Sequence, residues 1–261
     1  MSGLDAPRIT AELERLGCAL GPITVAPSTA STNDDARALA RAGSPHGAIV
    51  LADTQTAGRG RGAHRWFSPP GDGIYLSIVW RPTLEPSRLA LLALAVGVGV
   101  ARAVDALLLE PRARLKWPND VYVDDRKLAG ILVEAQLNSR SATAILGVGV
   151  NVNTRQFPEE LAFSATSLAL AGAAELDRAR VAARLIAAID VACRGVEGPD
   201  AARVLEDLAA RDWLLGRSVG VGELVGIARG IDADGRLLLR DEEGALHRLV
   251  AGEVSLRVGA R

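Results

Sequence analysis

Apolar positions recur with two different periods along this chain, and the changes of period mark its elements. Ile9, Leu13, Leu16 and Leu20 stand at helical spacing, so residues 7–20 are expected to form a short amphipathic helix. Residues 23–26 read as a strand. Ser31-Thr32-Asn33-Asp34 then stands where a helix N-cap belongs, ahead of an Ala-rich run to Arg41. These side chains have two readings: they cap the helix, or they face a polar ligand at its start, where the dipole favours acceptor groups.

Residues 48–52 form a short buried strand, Ser68 to Gly73 a turn, and residues 74–80 a clear strand. A long helix over residues 86–109 leads to a strand that ends at Lys116-Trp117-Pro118-Asn119-Asp120. Residues 121–123 and 128–134 flank Asp124-Asp125-Arg126 as a hairpin, and residues 142–152 form a further strand. Gly147 and Gly149 lie inside that strand, which indicates close approach of a ligand or another backbone. Residues 175–194 and 199–211 read as helices. Beyond Trp213 the pattern changes to short strands at 219–227, 237–240 and 246–250, with turns at Asp234-Gly235 and Glu242-Glu243-Gly244. Residues 1–213 are therefore expected to form one domain, and 214–261 a small β-module near the lower size limit for independent folding.

Composition narrows the function classes. Apolar residues make up 49% and charged residues 23%, as in a globular protein with a sizeable core. A formal net charge of −1 gives no general attraction to nucleic acid or acidic membranes. Cys18 and Cys193 stand at neither metal nor redox spacing, and His46, His64 and His247 are scattered, so a zinc site is not expected and a reducing compartment is. The apolar stretch 89–109 has the length of a membrane span, but Arg102 and Asp105 within it favour a buried helix. No signal peptide is visible. A cytoplasmic protein is expected.

Two local features carry chemistry. Gly58-Arg59-Gly60-Arg61-Gly62-Ala63-His64-Arg65-Trp66 combines flexible backbone, guanidinium forks and an indole anchor, and is expected to order as a loop around phosphate. Of the 30 basic residues only Lys116 and Lys127 are lysines. A lysine retained in so Arg-rich a chain marks a place for a compact point charge rather than a planar fork. Lys116 also opens a strand-end loop with an indole and two polar side chains, and Pro118 keeps Trp117 extended.

The chain resembles the bacterial biotin protein ligases. The resemblance rests on Ser31-Thr32-Asn33, Gln55-Thr56-Ala57-Gly58-Arg59-Gly60-Arg61, Trp66-Phe67-Ser68-Pro69, Lys116-Trp117-Pro118-Asn119-Asp120 and Arg126-Lys127-Leu128-Ala129-Gly130-Ile131-Leu132. Gly230-Ile231-Asp232 and Gly252-Glu253-Val254-Ser255-Leu256-Arg257 extend it into the tail. It departs from the common pattern at Gly62-Ala63-His64-Arg65, where His64 replaces one cationic fork by a weaker, pH-dependent cation. The resemblance implies an α+β fold, with a mixed β-sheet backed by helices on one side, as in class II aminoacyl-tRNA synthetase cores. It also implies a C-terminal SH3-like β-barrel.

The resemblance further implies a two-step ligase that uses ATP with Mg²⁺ and biotin as substrate, without a prosthetic group. Biotin is activated as biotinyl-5′-AMP with release of pyrophosphate, then passed to a lysine of the biotin carboxyl carrier protein. Lys116 and Arg61 are the implied catalytic residues. Ser31, Thr32, Asn33, Gln55, Gly58, Arg59, Gly60, Arg61, Lys116, Gly130, Leu132, Gly147 and Gly149 are implied for biotin. Arg59, Arg61, Trp66, Lys116, Asn119 and Asn151 are implied for the adenylate, and Asp120 for Mg²⁺. A lipoate or octanoate transferase on the same core and a non-catalytic biotin sensor are the alternatives. DNA binding is not expected, because the matched region begins near residue 22. A sheet-edge homodimer and a monomer fit the sequence equally.

Overall fold

The computed structural model describes residues 3–62, 64–110, 112–137, 142–173, 176–250 and 252–256. The elements are α1 (Ala6–Arg15), β1 (Ile23–Ala26), α2 (Thr32–Arg41), β2 (Ile49–Ala52), β3 (Gly73–Trp80), α3 (Ala90–Asp105), β4 (Arg114–Lys116), β5 (Asp120–Val123), β6 (Arg126–Leu137) and β7 (Ala142–Asn151). They continue with α4 (Arg178–Glu197), α5 (Ala201–Ala210), β8 (Ser218–Val221), β9 (Leu224–Ile231), β10 (Leu237–Arg240), β11 (Leu246–Leu249) and β12 (Val254–Leu256). The first seven strands form one sheet in the order β1-β2-β3-β7-β6-β5-β4. Only the β1–β2 pair is parallel, so the sheet is mixed, as expected.

Successive side chains of a strand point to opposite faces, and here the two faces differ in kind. Ile74, Leu76, Ile78 and Trp80 of β3 join Leu146, Val148 and Val150 of β7 in the main core, together with residues of α3 and α4. Helix α3 is apolar nearly all round because it lies between this face and α4. Gly99 permits the approach: a Cβ there would stand 2.7 Å from Ile189 Cα. The opposite face carries Val50, Val79 and Ile145, packed against Ala36, Leu39 and Ala40 of α2. Helices were expected on one side of the sheet only. The structure corrects this, since α2 covers part of the second face and leaves the rest for the cavity described below.

Other boundaries also shift. The first helix stops at Arg15 rather than residue 20, although Leu20 is still buried. The expected helix 86–109 is a short 3-10 turn, Pro86–Arg88, followed by α3. No helix among the described residues is long and apolar enough to cross a membrane. Asp124 and Asp125 take positive φ of 50° and 58° in the β5–β6 turn, the conformation that two-residue hairpins require. The expected helix start at residue 175, together with Ala63 and Arg257, lies outside the described residues.

The tail forms a five-stranded antiparallel sheet in the order β11-β10-β9-β8-β12, in keeping with the SH3-like expectation, though no pairing of β11 with β12 closes it among the described residues. The single strand expected over 219–227 is in fact the β8–β9 hairpin, which turns at Gly222 with φ of +61°. Trp117 ties this sheet to the larger one, donating from Nε1 to Gly235 O at 3.0 Å.

Candidate active site

The uncovered part of the sheet's second face is the floor of a cavity of about 840 Å³. Strand register sets two rows across it. Gly147 and Leu132 are aligned in one, which continues to Ser77 buried beneath Thr32 and Asn33, and Gly149, Gly130, Asp120 and Lys116 in the other. The glycines are required sterically. A Cβ on Gly147 would collide with Asn33, and one on Gly149 with the Trp66 indole. A Cβ on Gly130 would stand 2.8 Å from the same ring. Close approach was the expectation for Gly147 and Gly149, and the approaching groups are these two side chains.

At the α2 end the polar groups are bonded to one another. Thr32 N–H donates to Gln55 Oε1 at 2.9 Å, and Gln55 Nε2 donates to Ser68 Oγ at 3.1 Å. Asn33 Nδ2 donates to Glu134 Oε2 at 2.7 Å and to Leu132 O at 3.2 Å. Ser77 Oγ stands 2.8 Å from Thr32 Oγ1 and 2.7 Å from Asn33 Oδ1. Ser31 occupies the N-cap position of α2, yet its side chain makes no capping bond; it lines the cavity. Of the two sequence readings of this helix start, the ligand-facing one fits the geometry.

At the other end stands Lys116. Its strand is held by the segment after α5, with Leu115 N–H donating to Arg211 O at 2.8 Å and Trp213 N–H to Leu115 O at 2.9 Å. Half-buried, Lys116 Nζ lies 3.4 Å from Tyr122 Oη, and 5.5 Å and 5.9 Å from the Tyr122 and Trp213 ring centroids. No carboxylate pairs with it among the described residues. Burial lowers its pKa from the ordinary lysine value, Asp120 pulls it back up, and Lys127 adds to the lowering. Burial also pushes the Tyr122 hydroxyl up to about 12. The free cation is thus held among aromatic and hydroxyl groups that do not neutralise it.

The Gly/Arg run is a tight hairpin over the cavity. Gly60 N–H donates to His64 O at 2.7 Å and Trp66 N–H to Gly58 O at 2.9 Å, so both N–H groups are used within the hairpin itself. Arg59 reaches Asp34 at 2.9 Å and Glu134 at 3.0 Å. These half-exposed pairs are worth only about 0–1 kcal/mol and give way readily to a phosphate. Arg61 donates to Gly252 O at 2.5 Å, and His64 Nε2 lies 3.1 Å from Glu253 Oε1, so the hairpin touches the C-terminal sheet.

Of the residues expected in the site, Ser31, Thr32, Asn33, Gln55, Arg59, Gly60, Arg61, Trp66, Lys116, Asn119, Asp120, Gly130, Leu132, Gly147, Gly149 and Asn151 all line this cavity. Gly58 does not; it lies at the closed base of the hairpin, where a Cβ would stand 2.8 Å from Ser68 Oγ and Trp66 O. Asn119 and Asn151 donate from Nδ2 to Ile131 O and Thr166 O, both at 2.9 Å, and so brace the walls. Asp120, the candidate metal ligand, pairs with Lys127 Nζ at 2.7 Å. No group of three or more metal-ligating side chains occurs among the described residues. This donor set does not make a resident metal site.

Sequence reasoning passed over Tyr122, Glu134 and Ser77. Ser77 had a signal, being a hydroxyl inside an otherwise apolar strand, and Glu134 is two and four residues beyond Leu132 and Gly130 on one face of β6.

Comparison with known proteins agrees with this geometry. Residues 25–151 match the Biotin/lipoate A/B protein ligase family and residues 216–257 the Biotin protein ligase C terminal domain. The chain is 37% identical to the Biotin--[acetyl-CoA-carboxylase] ligase of Mycobacterium tuberculosis, over 96% of this chain and 95% of that protein. It is 36% identical to the Bifunctional ligase/repressor BirA of Escherichia coli, over 97% of this chain and 78% of that protein. Its fold is similar to that of the biotin protein ligase from Aquifex aeolicus in complex with biotin and ATP, with a TM-score of 0.78 and 30% identity, covering 91% of this chain and 99% of that one.

Proposed function

The chain belongs to the biotin protein ligase family, a family of ligases, and from that premise we propose that it activates biotin with ATP and transfers it to a lysine of a biotin carboxyl carrier domain. The observation that carries the reading is the unneutralised Lys116 ammonium at one end of a cavity whose other end is lined by neutral polar groups.

In the first step a carboxylate oxygen of biotin attacks the α-phosphorus of ATP, and pyrophosphate leaves. Two anions must meet, and Lys116, with no carboxylate at ion-pair distance among the described residues, is suited to bridge both as the P–O bond forms. Its desolvation strengthens that attraction relative to water. Arg59 and Arg61 would cover the adenylate and limit its hydrolysis, while the Trp66 indole, close against Gly130 and Gly149, would be the apolar wall of the slot. Thr32, Gln55 and Ser31 would meet the ureido ring, which needs neutral hydrogen-bonding partners. In the second step the carrier's lysine amine attacks the acyl carbon, AMP leaves, and an amide remains. Mg²⁺ would arrive with the nucleotide phosphates. Residues 1–213 would hold both substrates, and 214–261 would act as a module that meets the hairpin at Gly252 and Glu253. DNA is left out of this reading, since a net charge of −1 gives no general pull towards a polyanion.

The test is pyrophosphate release from ATP and Mg²⁺ with biotin, octanoate or lipoate, with and without a purified carrier domain. Biotin-dependent release, with label moving to the carrier lysine, is expected. Release driven by octanoate or lipoate instead would overturn the substrate assignment.

A further inference from the structure

Ser77 lies in the middle of β3, fully buried, and does not line the cavity. Its single hydroxyl proton stands within hydrogen-bonding distance of two oxygens, Asn33 Oδ1 at 2.7 Å and Thr32 Oγ1 at 2.8 Å, and can serve only one of them. The neighbours decide which. Asn33 Nδ2 faces Leu132 O and the Glu134 carboxylate, both acceptors, so the amide cannot be reversed and Oδ1 must point at Ser77. Glu134 is held in turn by Arg37 at 2.7 Å and Arg59 at 3.0 Å. Asn33 Oδ1 has no proton to give, so Ser77 donates to it. The Ser77–Thr32 contact must then run the other way, with Thr32 donating to Ser77.

The same accounting fixes Gln55. Ser68 Oγ donates to Trp66 O at 3.2 Å, so Ser68 accepts from Gln55 Nε2, and Gln55 Oε1 faces Thr32. The Thr32 Oγ1 proton has two acceptors within reach, Ser77 Oγ at 2.8 Å and Gln55 Oε1 at 3.2 Å; with the Ser77 proton held by Asn33 Oδ1, the shorter contact takes it, and Thr32 Oγ1 then offers lone pairs to the cavity beside Gln55 Oε1. Two acceptors side by side call for an N–H donor between them.

We propose that Ser77 is a positioning residue that fixes the direction of the Thr32 hydroxyl and so makes this end of the cavity selective for a ring N–H over an isosteric oxygen. The inference rests on the biotin reading, where that N–H belongs to the ureido ring. A purely structural Ser77 would support all ligands alike, whereas a proton-directing Ser77 favours the N–H ligand only.

The experiment measures binding and adenylate formation for biotin and for its two cyclic carbamate analogues, each with one ring N–H replaced by oxygen. The proteins are the parent, Ser77→Ala, Ser77→Thr, Thr32→Val and the Ser77→Ala/Thr32→Val double variant. The parent is expected to prefer biotin over one of the carbamates by about 10- to 100-fold, the scale of a mispaired buried acceptor. In Ser77→Ala the freed Thr32 hydroxyl can turn, so biotin weakens by about 10-fold, that carbamate does not, and the preference collapses. Turnover at saturating biotin and KM for ATP stay unchanged. Ser77→Thr, which keeps the hydroxyl, keeps the preference, and the double variant is no worse than Thr32→Val alone. Equal weakening of all three ligands, additive effects in the double variant, or loss of preference in Ser77→Thr would each overturn the proposal. Should Ser77→Ala fail to fold, Ser77→Cys, whose sulfur is only a weak acceptor for the Thr32 proton, takes its place, with the same expected loss of preference and the same overturning results. A parent that binds no biotin would refute the biotin reading itself, a result distinct from biotin binding that ignores Ser77.

Discussion

The two ends of the cavity are built on opposite principles. Around Thr32, Asn33, Gln55 and Ser77 the polar atoms are bonded to one another, and the helix start, the sheet and the hairpin are knitted into one network. Around Lys116 a half-buried cation stands with no carboxylate at ion-pair distance among the described residues, to one side of the neighbouring Tyr122 and Trp213 rings. The interbonded end has its geometry set before any ligand arrives and keeps acceptor lone pairs for one, so it suits discrimination. The unsaturated end is held in an unfavourable state that an incoming anion relieves, so it suits chemistry. One row of the sheet, from Gly149 through Gly130 and Asp120 to Lys116, fixes the distance between floor and cation.

The most severe way to break this contrast is to change the shape of the cation without removing its charge. Lys116→Arg is expected to cut adenylate formation by about 10²- to 10³-fold, because a planar fork cannot take the position of a point charge between carboxylate and phosphate. The same exchange at Lys127, whose ammonium already pairs with Asp120, should cost less than about tenfold. Single-turnover pyrophosphate release measures both. If Lys116→Arg kept near-parental rates, the bridging role would be lost.

A smaller effect is expected at the cover that joins the two ends. Arg61 reaches Gly252 O, so Arg61→Ala removes one of the hairpin's ties to the C-terminal module, beside that of His64, and should speed escape of the adenylate by about tenfold. Labelling of bystander lysines in a mixture of unrelated proteins would rise accordingly. Retention equal to the parent's would mean that the hairpin does not act as a lid.

Much of this was readable from local pattern. The strand at 74–80, the hairpin about Asp124 and Asp125, and the glycines of β7 all announce themselves within a few residues, because period and turn chemistry are local properties. The β8–β9 hairpin was not: apolar alternation runs on across Gly222-Glu223, and one glycine at positive φ turns the chain. Nor could the sequence name what approaches Gly149. Trp66 and Gly149 are far apart in the chain and meet only because the hairpin folds back over the sheet. Arg59 finding Glu134, and Ser77 meeting Thr32 and Asn33, are long-range contacts of the same kind. Motif resemblance singled out residues that the fold brings to one cavity; direction and partnership among them came from tertiary contacts.

The mildest probe leaves the sequence intact and asks whether the Lys116 end is as unsatisfied as its geometry implies. Burial lowers the Lys116 pKa in the free protein, so its charge is lost as pH rises at a point below the ordinary lysine range. Bound carboxylate and phosphate would favour the ammonium and move that point upward. For adenylate formation, kcat/KM for biotin reports the free protein and kcat the complex, so both should fall on the alkaline side, with the kcat/KM limb at lower pH. Tyr122, pushed up to about 12, keeps its proton over this range and cannot supply the limb. Measuring the first step alone keeps the carrier's own lysine out of the profile. A separation of the two limbs in that order marks a cation awaiting its anion. Coincident limbs, or the reverse order, would mean that Lys116 is already neutralised in the free protein, and the contrast between the two ends would disappear.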